Sequence, residues 1–328
     1  MIFRLIEFVL PKSNKEDVEE LLGQYNVVDY SVSKYSESNI EFHIIVSRDL
    51  TEELLGILQK RFSNLDGFRI LIIPIETYLP IEEINSGVDE LEPEIKHERI
   101  SREEIIAEVS EMSELTNVYV ILVAASAIVA SIGLINDDIA VIIGAMIIAP
   151  LIGPNIGLSL ANVVGDSELG YKAIKTNIVG ILIVFVISFI LGSMLVVNPQ
   201  NSSIVLRTNV AVGSILLALA SGLAGSLAIT TELSATFVGV MIAVALLPPL
   251  ATFGLLTGSG NYILALSAFI LFLVNLVSIN LVATLSFMAQ KIRPLHERES
   301  ITARRVAIRS IIVWVSILIV LFALIRLK

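Results

Sequence analysis

The chain has 328 residues, 55% of them hydrophobic and 16% charged, with a net charge of −10. That balance excludes an ordinary soluble domain and a nucleic-acid binder, which needs a concentrated basic face. The absence of cysteine removes disulfides, thiolate metal sites and a cysteine nucleophile. The three scattered histidines, His43, His97 and His296, form no local metal cluster, so no metal and no cofactor is expected.

The charge is segregated. Residues 1–117 hold 11 Lys/Arg against 25 Asp/Glu, a net of −14, and the remainder holds 11 against 7, a net of +4. An acidic soluble front end therefore precedes a nearly uncharged apolar block. Ile2–Leu10 carries Arg4 and Glu7 and runs into a charged helical pattern, which argues against a signal peptide.

In chain order, Ile2–Leu10 predicts a strand, and Val18, Leu21, Leu22 and Tyr25 predict one face of a helix opened by a Ser13…Glu16 capping box. Val27–Tyr35 and Ile40–Val46 alternate as strands around a turn at Ser36–Asn39. A helix from Thr51 and a strand at Phe68–Ile75 complete a β-α-β-β-α-β order. This reads as a ferredoxin-like α+β (βαββαβ) domain over residues 1–80. His43 falls on its polar face and is not read as a ligand. Residues 81–116 predict an acidic linker and an amphipathic helix with Ile105, Val109 and Met112 on one stripe.

Apolar runs long enough to span a bilayer, about 20 residues, follow. They lie at Val118–Ile135, Ile139–Val164, Asn177–Val197, Val210–Ile229, Ala235–Leu256, Tyr262–Met288 and Ser310–Leu327. About seven spans are expected in an α-helical polytopic membrane protein of the plasma membrane. With the N-terminal domain in the cytoplasm, eleven loop Lys/Arg lie inside against three outside, as the positive-inside rule requires.

The membrane block repeats itself at an offset of 95. Val141–Leu160 set above Thr236–Leu255 pairs Gly144 with Gly239, Met146 with Met241 and Pro154 with Pro249. Upstream, Ser126 meets Ser221, Ser131 meets Ser226 and Asp137 meets Glu232. Residues 117–197 and 198–288 are thus two repeats, followed by a basic loop and last span at 289–328. With three crossings each, the second enters from the opposite side, the inverted-topology design of secondary transporters. Re-entrant hairpins at the prolines would undo that parity.

Proline lacks the amide hydrogen and obstructs the carbonyl four residues back. Pro150 and Pro154 would free the carbonyls of Met146 and Pro150; Pro248 and Pro249 would free those of Val244 and Ala245. In hydrocarbon such groups persist only when buried in protein or lining a wet cavity. Two Pro-broken helices would therefore hold a substrate or ion site, with Asn155, Ser159, Thr252 and Asn275 as side-chain partners. Asn162, Asn177, Thr257, Ser278 and Asn280 are further polar groups in reach. The plainer reading of a single transmembrane proline is a kink. Asp137 and Glu232, at membrane boundaries, are candidates for gating or ion attraction, against ordinary solvated helix ends. The small residues of Ala218–Ser226 read as a close-packing surface, and Gly153…Gly157 and Gly254…Gly258 match the small-xxx-small spacing.

The phrases Gly144-Ala-Met-Ile-Ile-Ala-Pro-Leu-Ile-Gly-Pro154, Arg207-Thr208, Ala220-Ser-Gly-Leu-Ala-Gly225 and Gly239-Val-Met-Ile-Ala-Val-Ala-Leu-Leu-Pro-Pro-Leu250 resemble a prokaryotic family of multi-spanning proteins. The family is catalogued as domain of unknown function 389. The resemblance covers residues 111–288; it implies an integral membrane protein and supplies no catalytic residues. No enzyme is expected, since a Ser/His pair or deep paired aspartates are missing. The expected function is a transporter or ion-conducting protein moving a small solute or ion between the two broken helices and regulated by the cytoplasmic domain. The alternative is a membrane-anchored sensor or scaffold whose soluble domain binds a metabolite. The bilayer and a second copy of the chain are the expected partners.

Overall fold

Alternation in the front end builds a four-stranded antiparallel sheet. The computed structural model of the protein describes residues 3–25, 27–65, 67–75, 101–209, 212–231, 235–292 and 297–326. It divides into two compact units, Met1–Glu103 and Glu104–Lys328.

In the first unit the elements are Phe3–Pro11 (β1), Lys15–Leu22 (α1), Asp29–Lys34 (β2), Asn39–Ser47 (β3), Arg48–Phe62 (α2) and Ile70–Ile75 (β4). The sheet order is β2-β3-β1-β4 with every pair antiparallel. Residues alternate between buried and half-exposed along β1 and β3. Ile6, Phe8, Phe42, Ile44 and Val46 thereby meet Val18, Leu54, Leu55 and Leu58 in one core. Phe8 stacks on Phe42 with ring centres 5.2 Å apart. The Ser36–Asn39 turn forms, with the Asn39 amide donating to Ser36 Oγ at 3.1 Å. His43 lies on the open face, 2.9 Å from Glu7. The Ser13 capping box is not found: a 3-10 turn at Lys12–Asn14 precedes α1, and Ser13 Oγ turns to Asn14.

In the second unit come Arg102–Met112 (α3, which straddles the division), Asn117–Ile135 (α4), Ile139–Ile148 (α5), Ile152–Val164 (α6), Ser167–Met194 (α7) and Ser202–Thr208 (α8). They are followed by Val212–Thr230 (α9), Ala235–Gly258 (α10), Tyr262–Ala289 (α11) and Glu297–Arg326 (α12). Among the described residues, five helices are long and apolar enough to cross a bilayer: α4, α7, α9, α11 and the Ala303–Leu324 part of α12. The α5–α6 pair, bent by 51° at a short break, makes a sixth. Large apolar side chains such as Leu182, Ile312 and Ile319 stand exposed along these helices. Hydrocarbon tolerates that exposure and water does not. The protein is a multi-pass membrane protein.

The first proline segment is interrupted as expected: α5 ends at Ile148, Ala149 is extended, and α6 begins at Ile152. Pro154 is not itself a breaker. It sits in the first turn of α6, where a backbone N–H has no intrahelical partner to lose. The second expected break is absent, because α10 runs through Pro248 and Pro249 as one helix.

Helix bounds keep the sequence offset. Adding 95 to α4 gives residues 212–230, which is α9, and adding 95 to α7 gives 262–289, which is α11. Packing follows the same exchange: α7 lies against α10, and α6 lies against α11. A Cβ built on Gly254 would meet Ser188 and the Phe185 carbonyl, and one on Gly258 would meet Phe189 and Ser193. Residue numbers rise together across this contact, so α7 and α10 run parallel.

Candidate functional site

Asparagine and serine are costly in an apolar bundle unless they find partners. Three groups of them do, each tied to a sequence-predicted residue.

The first lies between α6 and α11. Asn155, 2% exposed, donates from Nδ2 to the Leu151 carbonyl at 2.7 Å and accepts at Oδ1 from Asn280 Nδ2 at 3.1 Å. Ser159 Oγ lies 3.1 Å from the Asn155 carbonyl and 3.2 Å from both the carbonyl and Oδ1 of Asn280. The Leu151 carbonyl beside the break is thus satisfied by a side chain from within α6. Asn155 and Ser159 are brought together, and Asn280 joins them.

The second lies between α10 and α11. Pro249 has no hydrogen to give the carbonyl of Ala245, and Asn275 Nδ2 donates to that oxygen at 2.7 Å. This bond replaces the one that Pro249 removes, in a helix that continues through both prolines. With the amide nitrogen committed, Asn275 Oδ1 is left as an acceptor. It is buried and has no hydrogen-bond partner among the described residues. Ser278 Oγ, one turn further along α11, and Thr252 Oγ1, on α10, are likewise buried and unpartnered there. Phe185 stacks on Phe253 and Phe269 tilts against it across α7, α10 and α11, with ring centres 4.9 and 4.8 Å apart, and Phe253 adjoins Thr252 in the chain.

The third is a corner joining the α4–α5 turn to the start of α8. Asp137, in a left-handed backbone conformation at φ 58, accepts from the Ser203 amide at 2.7 Å and from the Ser202 hydroxyl at 2.7 Å. It thereby caps the N-terminus of α8 from across the chain. In return Asn201 Nδ2 donates to the carbonyls of Leu134 and Ile135 at 3.3 and 2.7 Å, closing the end of α4. Hydrogen bonds from Ser203 and then Ser202 hold the Asp137 carboxyl well below its ordinary range, at about 2. Arg207, half-buried in α8, donates to the Ser203 carbonyl at 2.7 Å. Burial lowers its pKa, and the nearby Asp137 opposes that shift.

Of the remaining predicted residues, Met146 is buried in α5, Pro150 lies in the break and Pro154 is buried in α6. Val244 belongs to α10. Glu232 lies outside the described residues. Sequence reasoning missed Ser113, Thr176 and Asn201. Ser113 Oγ lies 2.7 Å from the Val109 carbonyl and 3.2 Å from that of Gly153, while Thr176 Oγ1 donates to the Ser113 carbonyl at 2.8 Å. No local pattern marks the contacts with Gly153, Thr176, Leu134 and Ile135, since those partners are distant in sequence.

Among the described residues, no Asp, Glu, Lys or Arg is buried in the bundle, and no group of three His, Cys, Asp or Glu could hold a metal ion. The buried polar chemistry is neutral: hydroxyls, carboxamides and main-chain carbonyls.

Residues 146–281 match the family model described as Domain of unknown function (DUF389). The matched stretch holds Pro150, Pro154, Asn155, Ser159, Pro248, Pro249, Thr252, Asn275 and Asn280. The chain is also 37% identical over 325 residues to an uncharacterized protein of Methanocaldococcus jannaschii, covering 99% of each. No solved structure matches it. The shared phrases around the prolines and this full-length relative make the chain a member of the DUF389 family.

Proposed function

We propose that the protein is a transporter or ion-conducting protein of the plasma membrane. It moves a small solute or ion past the two proline-bearing middle segments of an inverted repeat. The observation that carries this reading is the exchange of packing partners: α7 on α10, and α6 on α11, between helices related by the offset of 95. The parallel course of α7 and α10 supports inversion. With three crossings per repeat, the third span of the first copy and the second span of the other point the same way. Two copies in the same orientation would make them antiparallel. This count takes α10 as a full span and gives seven in all.

The sheet order β2-β3-β1-β4, with a helix in each crossover, supports a ferredoxin-like N-terminal unit. We assign it to the cytoplasm as a regulator of a non-enzymatic, homo-oligomeric membrane part. Unpartnered oxygens beside Pro248 and Pro249 support a site in mid-membrane, since buried acceptors without donors are rare unless something else fills them. Replacing Pro150 and Pro249 together by alanine is expected to abolish flux in liposomes while leaving a folded protein. Undiminished flux would remove the site from this place.

A further inference from the structure

Asn275 offers one atom for a purpose that the fold does not use. Its Nδ2 donates to the Ala245 carbonyl at 2.7 Å, which fixes the plane and sense of the amide. Oδ1 is then an acceptor in a residue only 5% exposed, with no donor among the described residues. Ser278 follows at i+3, on the same face of α11, fully buried and also without a partner there. Across the contact, Pro248 cannot supply the amide hydrogen that the Val244 carbonyl would receive in a regular helix. Val244 is the chain neighbour of Ala245, where Asn275 is anchored. Two buried oxygens one turn apart on α11 therefore present lone pairs beside the proline-bearing part of α10.

Their chemistry narrows the guest. An anion would face the bare Asn275 Oδ1 acceptor with the Ser278 hydroxyl as its donor and no buried cation to offset its charge, which disfavours it. A proton relay is ordinarily built on Asp, Glu, His or Lys, and none of these is buried in the bundle among the described residues. A divalent cation demands carboxylates to offset its charge, and among the described residues no Asp or Glu is buried in the bundle. Neutral carbonyl, amide and hydroxyl oxygens are the ligands that replace the hydration shell of sodium or potassium.

We propose that Asn275 Oδ1 and Ser278 Oγ take part in binding a monovalent alkali cation. The inference rests on the transport reading only for what the cation is used for; binding itself is measured without flux. The full chain in detergent is melted in rising sodium, potassium or lithium chloride, with choline chloride holding ionic strength constant. One alkali ion is expected to raise Tm saturably. Ser278→Ala and Asn275→Ala are each expected to move half-saturation up by roughly tenfold or more. Ser188→Ala, whose hydroxyl pairs with Ser131 at 2.9 Å, is expected to leave it unchanged. Should Asn275→Ala fail to fold, Ser278→Ala carries the test alone. A melting temperature indifferent to all three ions overturns the site, as does an unshifted response in Ser278→Ala. Parallel liposome assays separate the two claims: solute flux without an ion-specific Tm rise sinks only the cation site. An ion-specific rise lost in the variants, with no flux of any kind, upholds the site and sinks the transport reading.

Discussion

Asp137 shows how one side chain settles local structure and its pH dependence together. Its left-handed backbone is one that Asn and Asp adopt more readily than most residues, and its carboxylate receives the free amides at the start of α8. The folded-state pKa of about 2 lies below the unfolded value of about 3.9. The stabilisation is therefore fully present above about pH 4 and lost as pH falls through about 2. Asp137→Asn keeps the backbone preference and removes the charge. It is expected to lower Tm at neutral pH, and the gap to the native protein is expected to close in acid. A pH-independent gap in thermal melts would assign the effect to something other than the carboxylate. The acid was visible in the sequence as a boundary residue paired with Glu232. Its partners were not, because Ser202 and Ser203 lie more than sixty residues downstream in an undistinguished stretch.

At the scale of elements, helix identity and extent follow from apolar runs and their punctuation. The 51° bend at residues 149–151 was legible from Pro150. Continuity through Pro248 and Pro249 was not, since the donor that repairs the ladder comes from Asn275, on the next helix. The glycine spacings carried more than their weak pattern suggested. A Cβ on Gly153 would come within 2.1 Å of the Met112 carbonyl, and one on Gly258 within 2.2 Å of the Phe189 carbonyl. Backbone cannot yield as a flexible side chain does. Gly258→Ala is therefore expected to destabilise by about 1–3 kcal/mol or more, by prising α7 from α10. Gly144→Ala, in α5, meets nothing within 4 Å and is expected to gain about 0.5–1 kcal/mol from helix propensity. Thermal unfolding of the two variants in detergent checks the contrast; equal effects would contradict the packing. The start of α7 at Ser167, well ahead of its apolar run, comes from the Asp166 side chain accepting from Glu168 and Leu169 amides at 2.9 and 3.0 Å.

For the whole molecule, the charge separates an acidic front end from an apolar block, and the bounds of α4 and α9 and of α7 and α11 keep the offset of 95. The exchange of partners between the copies could not be read from one sequence, because it is a tertiary arrangement fixed by Gly254 and Gly258 against α7 and by Asn280 against α6. The central claim is that the second copy lies upside down relative to the first. The chain contains no cysteine, so single reporters need no background removal. Asp138→Cys marks the α4–α5 turn while sparing Asp137, and Glu232→Cys marks the corresponding place between α9 and α10. Labelling each with a membrane-impermeant thiol reagent, in sealed vesicles of known orientation, is the most direct measurement. Modification from opposite faces of the bilayer is the predicted result; modification of both from the same face would contradict the inverted repeat and the transport mechanism drawn from it.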